Sequence, residues 1–427
     1  MDNTALDADI IVAGGGPAGM MAAIGAAQAG ARVVLLEKKP RLGVKLSITG
    51  KSRCNITNAA SVDEIVEKCH HGKFLYRALH EMDNNDLQDF FRRRGLDFVV
   101  ERGGRIFPCT GKARDVVRIL ENELHKLRVR IICHSPVMEI LTDGDMVQGV
   151  ATEKRAWKSA AVILATGGAS YPGTGSTGDG YLLAQKTGHN IIAIRPALVP
   201  LEVAEAWAPD LQGLSLKNVE VVLQVNGKQI GREFGEMLFT HFGVSGPVVL
   251  TLSNTLASMG ERWNHRAELS IDLKPGLSEE KLHARILRDF QKYRNKLLKN
   301  SLNELLPRTM IPVIIGQARL DPDKFVHSIT KTERQMLVDL VKGLRLTVTG
   351  TRPLSEAIVT AGGINIREIN AGTMESKLIK GLYFAGEIID YHGKTGGYNL
   401  QGAFSTGYLA GGCAAKAIHK NICFQPH

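Results

Sequence analysis

Three glycines near the start of the chain stand at a spacing that could hold a phosphate. Ala8-Asp9-Ile10-Ile11-Val12-Ala13 runs into Gly14-Gly15-Gly16-Pro17-Ala18-Gly19, and Met20-Met21-Ala22-Ala23-Ile24 follows with helix-forming character. Gly14, Gly16 and Gly19 fit GxGxxG. The first glycine makes the tight strand-to-helix turn, the second lets a pyrophosphate approach the backbone, and the third lets the helix lie close to the sheet. The pyrophosphate would sit on unpaired N–H groups at a helix N-terminus, where the dipole favours its charge. A second apolar run, Arg32-Val33-Val34-Leu35-Leu36, ends in Glu37, 21 residues beyond Gly16. About 20 residues is the separation expected of an acid that binds ribose hydroxyls. The alternative for Glu37 is a solvated carboxylate at a strand end.

A matching set of residues lies far along the chain. The buried-strand pattern Ala160–Leu164 leads into Ala165-Thr166-Gly167-Gly168. Gly381-Leu382-Tyr383-Phe384-Ala385-Gly386-Glu387-Ile388-Ile389-Asp390 is a strand ending in glycine and acid, and Thr395–Ala403 opens a last helix. A first glycine turn combined with a C-terminal strand-glycine-acid-helix segment suits FAD better than NAD, because the long cofactor needs a second anchor. Glu387 or Asp390 can accept hydrogen bonds from ribityl or ribose hydroxyls. Free N–H groups around Asn399–Ala403 could face the flavin N1/O2 edge, where negative charge appears on reduction. Arg53 and Asn55 are candidate hydrogen-bond partners of FAD. Tyr391 and His392 are either proton donors beside the flavin or surface loop residues. Cys54 is either a flavin-adjacent thiol or a packed residue. Asp179, in Ser176-Thr177-Gly178-Asp179-Gly180-Tyr181, is expected to cap a helix starting near Gly180.

The elements that must position these residues follow from pattern and composition. A chain of 427 residues is too long for one ordinary core, so two or three domains are expected. Hydrophobic content of 44% and charged content of 22% are those of a soluble globular protein. The pattern predicts an α/β fold with a discontinuous Rossmann-like FAD-binding domain over residues 1–197 and 344–427. Residues 198–343 form an insert, with a β part over about 198–275 and a helical part over about 276–343. A polar, glycine-rich loop is expected from Lys38 to Asn58, and a hairpin over Val137–Thr152. There is no run of ~18 apolar residues for a membrane span, and the polar start does not resemble a signal peptide. The six cysteines (Cys54, Cys69, Cys109, Cys133, Cys413, Cys423) form no CxxC pair. That argues against a zinc ribbon or dithiol, predicts no metal, and suits a reducing cytoplasm. The net charge is +10, but the basic residues are spread, and the densest run is Arg92-Arg93-Arg94. A solvated helix face is favoured over nucleic-acid binding, and an anionic cofactor or substrate gains from the field.

Taken together, the motifs resemble the BaiN-like flavoprotein family, also called the aminoacetone-oxidase family, over essentially the whole chain. They are Gly14–Gly19 with Glu37, Arg53–Asn58, Arg105-Ile106-Phe107-Pro108, Phe242–Pro247, Glu356–Gly363, and Gly381–Asp390 with Thr395–Leu400. The resemblance implies an FAD fold interrupted by a β-barrel-like and helical insert. It implies FAD contacts at Gly14, Gly15, Gly16, Pro17, Ala18, Gly19, Glu37, Lys38, Arg53, Cys54, Asn55, Val137, Thr166, Gly167, Gly386, Glu387, Asp390, Gly397, Asn399, Leu400 and Gln401. One departure stands out. The family has a glycine-rich run before Arg-Cys-Asn, whereas here Gly50 is followed by Lys51 and Ser52, leaving fewer positive-φ options. Lys51 either offers a cation to the pyrophosphate or a substrate, or points to water.

The expected activity is that of a cytoplasmic oxidoreductase with non-covalent FAD, acting on a small molecule by hydride transfer through flavin N5. A single GxGxxG leaves NAD(P)H as a transiently docked donor. The family's names point to reduction of an activated carbon–carbon double bond or to oxygen-dependent oxidation of a small amine. A flavin-containing tRNA-binding or tRNA-modifying protein is the remaining alternative.

Overall fold

The computed structural model describes residues 6–263 and 266–423. Two compact units emerge, Met1–Ala197 with Leu354–His427, and Leu198–Pro353.

The first unit is built on a parallel sheet. Its strands lie side by side in the order Arg130–Ile132, Val33–Leu36, Ala8–Ala13, Ala156–Leu164, Leu382–Phe384. The central strands are apolar at successive positions because both faces are covered, and Ile10, Ile11, Val12, Val162 and Ile163 are fully buried. The hairpin Val137–Asp143/Met146–Thr152 extends the sheet antiparallel along the first half of Ala156–Leu164. The first helix, Pro17–Gln28, and the final helix, Tyr398–Cys423, cross at backbone contact. A Cβ on Gly407 would lie 2.2 Å from the Ala18 carbonyl oxygen, and one on Gly411 would lie 2.0 Å from that of Ala22. The small residues in both helices are therefore a packing requirement between the two.

The Lys38–Asn58 segment departs from the expected loop. A short helix, Val44–Ser52, fills much of it, anchored by buried Leu46 and broken at Thr49, whose ψ of 148° is extended. A two-residue strand, Thr57–Asn58, then pairs with the hairpin Phe98–Glu101/Arg105–Pro108.

The second unit contains a closed six-stranded barrel. Around it run Leu201–Val203, Gly243–Ser245, Lys228–Thr240, Ser215–Val225, Ala267–Asp272 and Leu344–Thr351, which returns to Leu201–Val203. Alternation fills the barrel: Val221, Leu223, Phe239, Leu269, Ile271, Leu346 and Val348 are buried while their neighbours in sequence are more exposed. The pattern at Leu344–Thr351 therefore marks a barrel strand, paired to Ala267–Asp272, and not a return to the parallel sheet. Helices Pro247–Met259, Glu279–Lys292, Met310–Gln317 and Lys331–Lys342 complete this unit. The last begins with a capping box between Thr330 and Glu333.

Candidate functional site

The glycine turn separates its three glycines by what each Cβ would strike. Gly14 has φ of 108°, and a Cβ there would sit 2.5 Å from the Ala165 carbonyl oxygen. A Cβ on Gly19 would lie 1.8 Å from the carbonyl oxygen of Gly14, so helix and turn touch through backbone. A Cβ on Gly16 would meet nothing within 4 Å. The glycine assigned to pyrophosphate approach thus faces space that no protein atom fills, while the other two are required by the protein itself. Pro17 stands in the first turn of the helix, and the first bond of its ladder runs from the Met20 N–H to the Gly16 carbonyl. The amides of Ala18 and Gly19 precede that ladder.

Glu37 braces the turn. Its Oε2 accepts from the Gly15 N–H at 2.6 Å and its Oε1 from the Lys39 N–H at 2.7 Å. Carboxylate oxygens keep further lone pairs for a ribose. Lys38 is tied elsewhere, donating to Asp179 Oδ2 and Thr177 Oγ1, each at 2.7 Å. Asp179 is therefore not the cap of its helix. Gly178, with φ of 80°, occupies the cap position and Asp179 is the first helical residue. Val137 begins the antiparallel hairpin and is half-buried.

Orphaned polar atoms mark where a ligand would be expected. Asn55 Oδ1 and Thr166 Oγ1 are buried without a hydrogen-bond partner. Buried acceptors and hydroxyls without partners are rare and costly, and these two flank the Arg53-Cys54-Asn55 loop and the turn after the Ala156–Leu164 strand. Gly167, with φ of 77°, makes that turn. Cys54 is fully buried in a left-handed conformation, with φ of 61°. Burial pushes its thiol up to about 12, against a hydrogen bond with Thr49 that lowers it. The thiolate a nucleophile needs is therefore absent near neutral pH. Arg53 does not point along the loop: its guanidinium stacks on Phe107 at 4.3 Å and pairs with Glu101.

The C-terminal segment is held from a distance. Glu387 accepts from Lys45 Nζ at 2.8 Å, from Ser170 Oγ at 3.2 Å and from the Thr360 N–H at 2.8 Å. Burial pushes its carboxyl upward, but Lys45 and these hydrogen bonds outweigh that and hold it below the usual carboxylate range. Its lone pairs largely serve the protein, so the expected ribityl acceptor acts first as a structural pivot. Gly386 has φ of 78°, and its N–H donates to Thr406 Oγ1. Asp390 is buried, which raises its pKa despite opposing contributions from His71 and Arg195. His71 Nδ1 lies 3.3 Å from Asp390 Oδ2.

Tyr391 and His392 are not surface loop residues. They are 2% and 1% exposed, and Tyr391 Oη and His392 Nδ1 have no hydrogen-bond partner. Burial raises the Tyr391 phenol well above its usual value. Burial, and then the charges of His70 and His71, push His392 down to about 3. His392 pairs with His70 across a two-residue ladder, their rings stacked at 5.0 Å, and His70 lies 4.0 Å from His71. Both Tyr391 and His392 can hold a proton at neutral pH, the first as a phenol and the second on a neutral imidazole.

At the final helix, Gly397 has φ of 102° and packs on Thr57, where a Cβ would lie 2.3 Å from the Thr57 carbonyl oxygen. Asn399 closes the preceding loop, accepting from the Gly393 N–H at 2.7 Å and donating to its carbonyl at 2.9 Å. Gln401 is fully engaged: it accepts from Thr57 Oγ1 at 2.6 Å and donates to the Met82 carbonyl and Ser405 Oγ. Its N–H already bonds the Gly397 carbonyl. The first helix-ladder bond therefore starts at Gln401, and the amides of Asn399 and Leu400 precede it, an earlier window than Asn399–Ala403.

Sequence reasoning missed Lys45, Ser170, Thr360 and Tyr181. Tyr181 Oη is buried and unpartnered, and its phenol is raised by burial and by Glu387 and Asp390. Lys45 is 342 residues from Glu387, so no local pattern joins them. Among the described residues no cluster of three or more His, Cys, Asp or Glu could hold a metal, and no helix is long and apolar enough to cross a membrane. Cys423 has a side chain outside those described. The basic run is largely spent internally: Arg92 bonds Asp89 and Gln88, and Arg94 pairs with Glu123.

Comparison with known proteins places the chain in a family and a fold. The family model described as HI0933-like protein Rossmann domain matches residues 8–413. A 3-dehydro-bile acid delta(4,6)-reductase of Clostridium scindens is 31% identical over 95% of this chain and 98% of its own. A ribosomal RNA dihydrouridine synthase of Haemophilus influenzae is 31% identical over 93% of this chain and 96% of its own. The 3-ketosteroid delta1-dehydrogenase of Sterolibacterium denitrificans shares the fold, with a TM-score of 0.53 at 13% identity over 96% of this chain and 99% of that one. The chain belongs to the HI0933-like family of FAD-dependent oxidoreductases.

Proposed function

We propose that this chain reduces a carbon–carbon double bond conjugated to a carbonyl, taking its electrons from NAD(P)H. The observation that carries this reading is the pairing of relatives at 31% identity over nearly the whole chain. Their names denote very different molecules, yet a 3-oxo-4,6-diene and a uracil ring both present a double bond polarised by a carbonyl. Bound FAD would supply the hydride. The residues that would hold it are the amides of Ala18 and Gly19 beside Gly16 for the pyrophosphate, Glu37 for a ribose, Asn55, Thr166 and Gly167, and the amides of Asn399 and Leu400 for the negative charge of the reduced ring. His392 or Tyr391 would hold the proton that the neighbouring carbon needs.

The test is anaerobic. NADH or NADPH should bleach the yellow holoenzyme, and a 3-oxo-4,6-diene bile acid or a uridine-containing ribosomal RNA fragment should restore the colour with a reduced product. Bleaching by small amines and not by nicotinamides would overturn the reductase reading in favour of an amine oxidase. A uridine-containing RNA is the second reading, suggested by the name of the Haemophilus influenzae relative, and the two substrates are tested side by side.

A further inference from the structure

We propose that Arg105 and Arg53, gathered around Glu101 on the ring of Phe107, form an anion subsite that captures a negatively charged group of the substrate. The inference rests on the reductase reading above and names the class of molecule it would act on. Arg53-Cys54-Asn55 and Arg105-Ile106-Phe107-Pro108 are separate motifs in sequence, and the three-stranded sheet brings them together. Thr57 lies opposite Ile106 and Asn58 opposite Arg105, while the Ile56 N–H bonds the Ile106 carbonyl.

The two guanidiniums converge. The Arg53 carbon is 4.3 Å and the Arg105 carbon 5.8 Å from the Phe107 ring centroid. Arg53 Nη2 lies 2.5 Å from Glu101 Oε1, and Arg105 Nη2 lies 3.5 Å from Glu101 Oε2. Arg105 Nε also donates to the Arg102 carbonyl. One carboxylate thus stands against two cations. Each guanidinium has five N–H donors in a fork that matches a carboxylate or phosphate, and Glu101 with one carbonyl takes only a few of them. Both arginine side chains are 44% exposed. Glu101, held ionised chiefly by its hydrogen bond with Arg53, fixes the orientation of the forks and leaves a net positive charge.

The patch sits at the cofactor end of its unit. Asn58 Nδ2 donates to the Gly103 carbonyl in the hairpin turn at 3.0 Å and to that of Gly396 at 2.9 Å. One side chain therefore ties the hairpin to the glycines that open the final helix, whose Asn399 and Leu400 amides are proposed above to face the flavin. The same hairpin exposes Val99 and Val100, at 41% and 63%. Val99 lies directly opposite Phe107, so it shares the face of the two arginines. Exposed apolar surface beside paired cations suits a molecule with an apolar or planar body and an anionic group. A bile-acid carboxylate and the phosphate beside a uridine both qualify, and the shared chemistry is the anion.

The test measures binding to oxidised, FAD-loaded enzyme and needs no turnover. Perturbation of the flavin spectrum is titrated with a 3-oxo-4,6-diene bile acid and with its methyl ester. Fluorescence anisotropy follows a labelled uridine-containing RNA at several salt concentrations. For a carboxylate, R105Q and R53Q should each weaken the acid about tenfold and leave the ester within about twofold. For a phosphate, the same changes should weaken the RNA and lower the slope of log affinity against log salt by about one each. E101Q, which removes the internal competitor and keeps both guanidiniums, should tighten whichever anion binds. Equal losses for acid and ester, unchanged binding of both anions in R105Q and R53Q, or no anion binding by the wild-type enzyme would overturn the proposal. An enzyme that binds the anion as described but fails to reduce it would instead sink the reaction proposed above and leave the subsite standing.

Discussion

The two ends of the proposed cofactor site are built by opposite means. The first turn, Gly14–Gly19, is specified within a few residues: Gly19 must lack a Cβ because Gly14 is there, and Glu37 reaches back from the next strand to bond Gly15. The last segment, Gly386–Gln401, is specified by partners hundreds of residues away. Glu387 is held by Lys45, Gln401 by Thr57 and Met82, and His392 by His70. A phosphate cradle needs only backbone and space, and backbone conformation is a local property. A redox end needs charge and protons placed in a dry interior, and those must be compensated by whatever the fold brings near.

The comparison breaks most readily at the first turn. Gly19→Ala places a Cβ 1.8 Å from a backbone oxygen that cannot swing aside, and overpacking of this kind costs about 1–3 kcal/mol or more. The expected result is protein purified without flavin, or not purified in soluble form. Gly16→Ala is the matched contrast, because its Cβ meets nothing and its backbone is extended, with φ of −78°. The apo chain should melt with the wild type while FAD binds at least about tenfold more weakly. Wild-type FAD affinity in Gly16→Ala would show that the pyrophosphate does not approach there. Thermal melts of apo protein and FAD titrations decide it.

At the other end, Lys45→Met should cost about 1–3 kcal/mol, because the pair is only partly buried, with side chains 21% and 20% exposed, and so falls below the loss for a fully buried ion pair. Glu387 would keep only Ser170 and the Thr360 N–H. The sign with pH follows from its lowered pKa. The unfolded chain binds the proton first as pH falls, so the Lys45–Glu387 stabilisation is complete above the ordinary carboxylate pKa of about 4.3. It is lost as pH drops through the lower folded value. Lys45→Met should raise the Glu387 pKa toward or above the unfolded value, so the variant is the less stable protein at pH 7 but loses less stability than the wild type on going to pH 4. Denaturant melts at pH 4 and pH 7 would show it, and parallel curves for variant and wild type would rule it out.

This contrast also explains what was legible in the sequence. The glycine spacing, the apolar run before it and Glu37 announced the first turn because each constraint lies within one strand-turn-helix unit. The barrel's alternation was legible for the same reason, although Leu344–Thr351 reads equally well as a strand of either unit until its partner is known. The helix at Val44–Ser52 was hidden because glycines and polar residues flank a single buried leucine. Glu387 was recognised as an acid at the right place but given to the cofactor, since nothing near it in sequence names Lys45. Cys54 read as either a flavin-adjacent thiol or a packed residue, and its full burial, which holds the thiol protonated, is visible only in the fold. Arg53 and Arg105 read as unrelated until sheet register set them on one ring.

A smaller effect tests whether the redox end is dry. His392, pushed down to about 3, is neutral in the folded protein while its unfolded counterpart titrates near 6.5. Between these values the unfolded state binds the proton and the folded state does not. Stability should therefore fall as pH drops below about 6.5, by up to about 1.4 kcal/mol per pH unit from this group. His392→Asn should flatten that slope. In NMR spectra the His392 ring signals should not move between pH 8 and 5. Titration near 6.5 would mean that water reaches the ring, and the contrast between a local cradle and a compensated interior would fail there.

The smallest expected effect sits where the two kinds of construction meet, in the loop that carries Asn55. Lys51 and Ser52 have φ of 56° and 65°, although neither is glycine. Left-handed backbone costs a residue with a Cβ about 1–2 kcal/mol. Glycine would remove that cost but add back up to about 1 kcal/mol through the extra freedom of the unfolded chain. Ser52 is exposed, so Ser52→Gly should stabilise the apo protein by only about 0.5 kcal/mol, a rise of about 1 °C in melting temperature. A destabilised Ser52→Gly would mean that the left-handed turn is supported by contacts of the serine and carries no strain. The FAD titration sharpens the point. Strain held at a site persists only where the surroundings over-determine it, and it can serve to pre-organise a ligand's groups. If Lys51 and Ser52 hold the Asn55 acceptor in place, Ser52→Gly will bind FAD more weakly even as it melts higher. If it binds FAD equally well, the loop is a local turn like Gly14–Gly19, and the family's glycines were replaced here at a cost in stability alone.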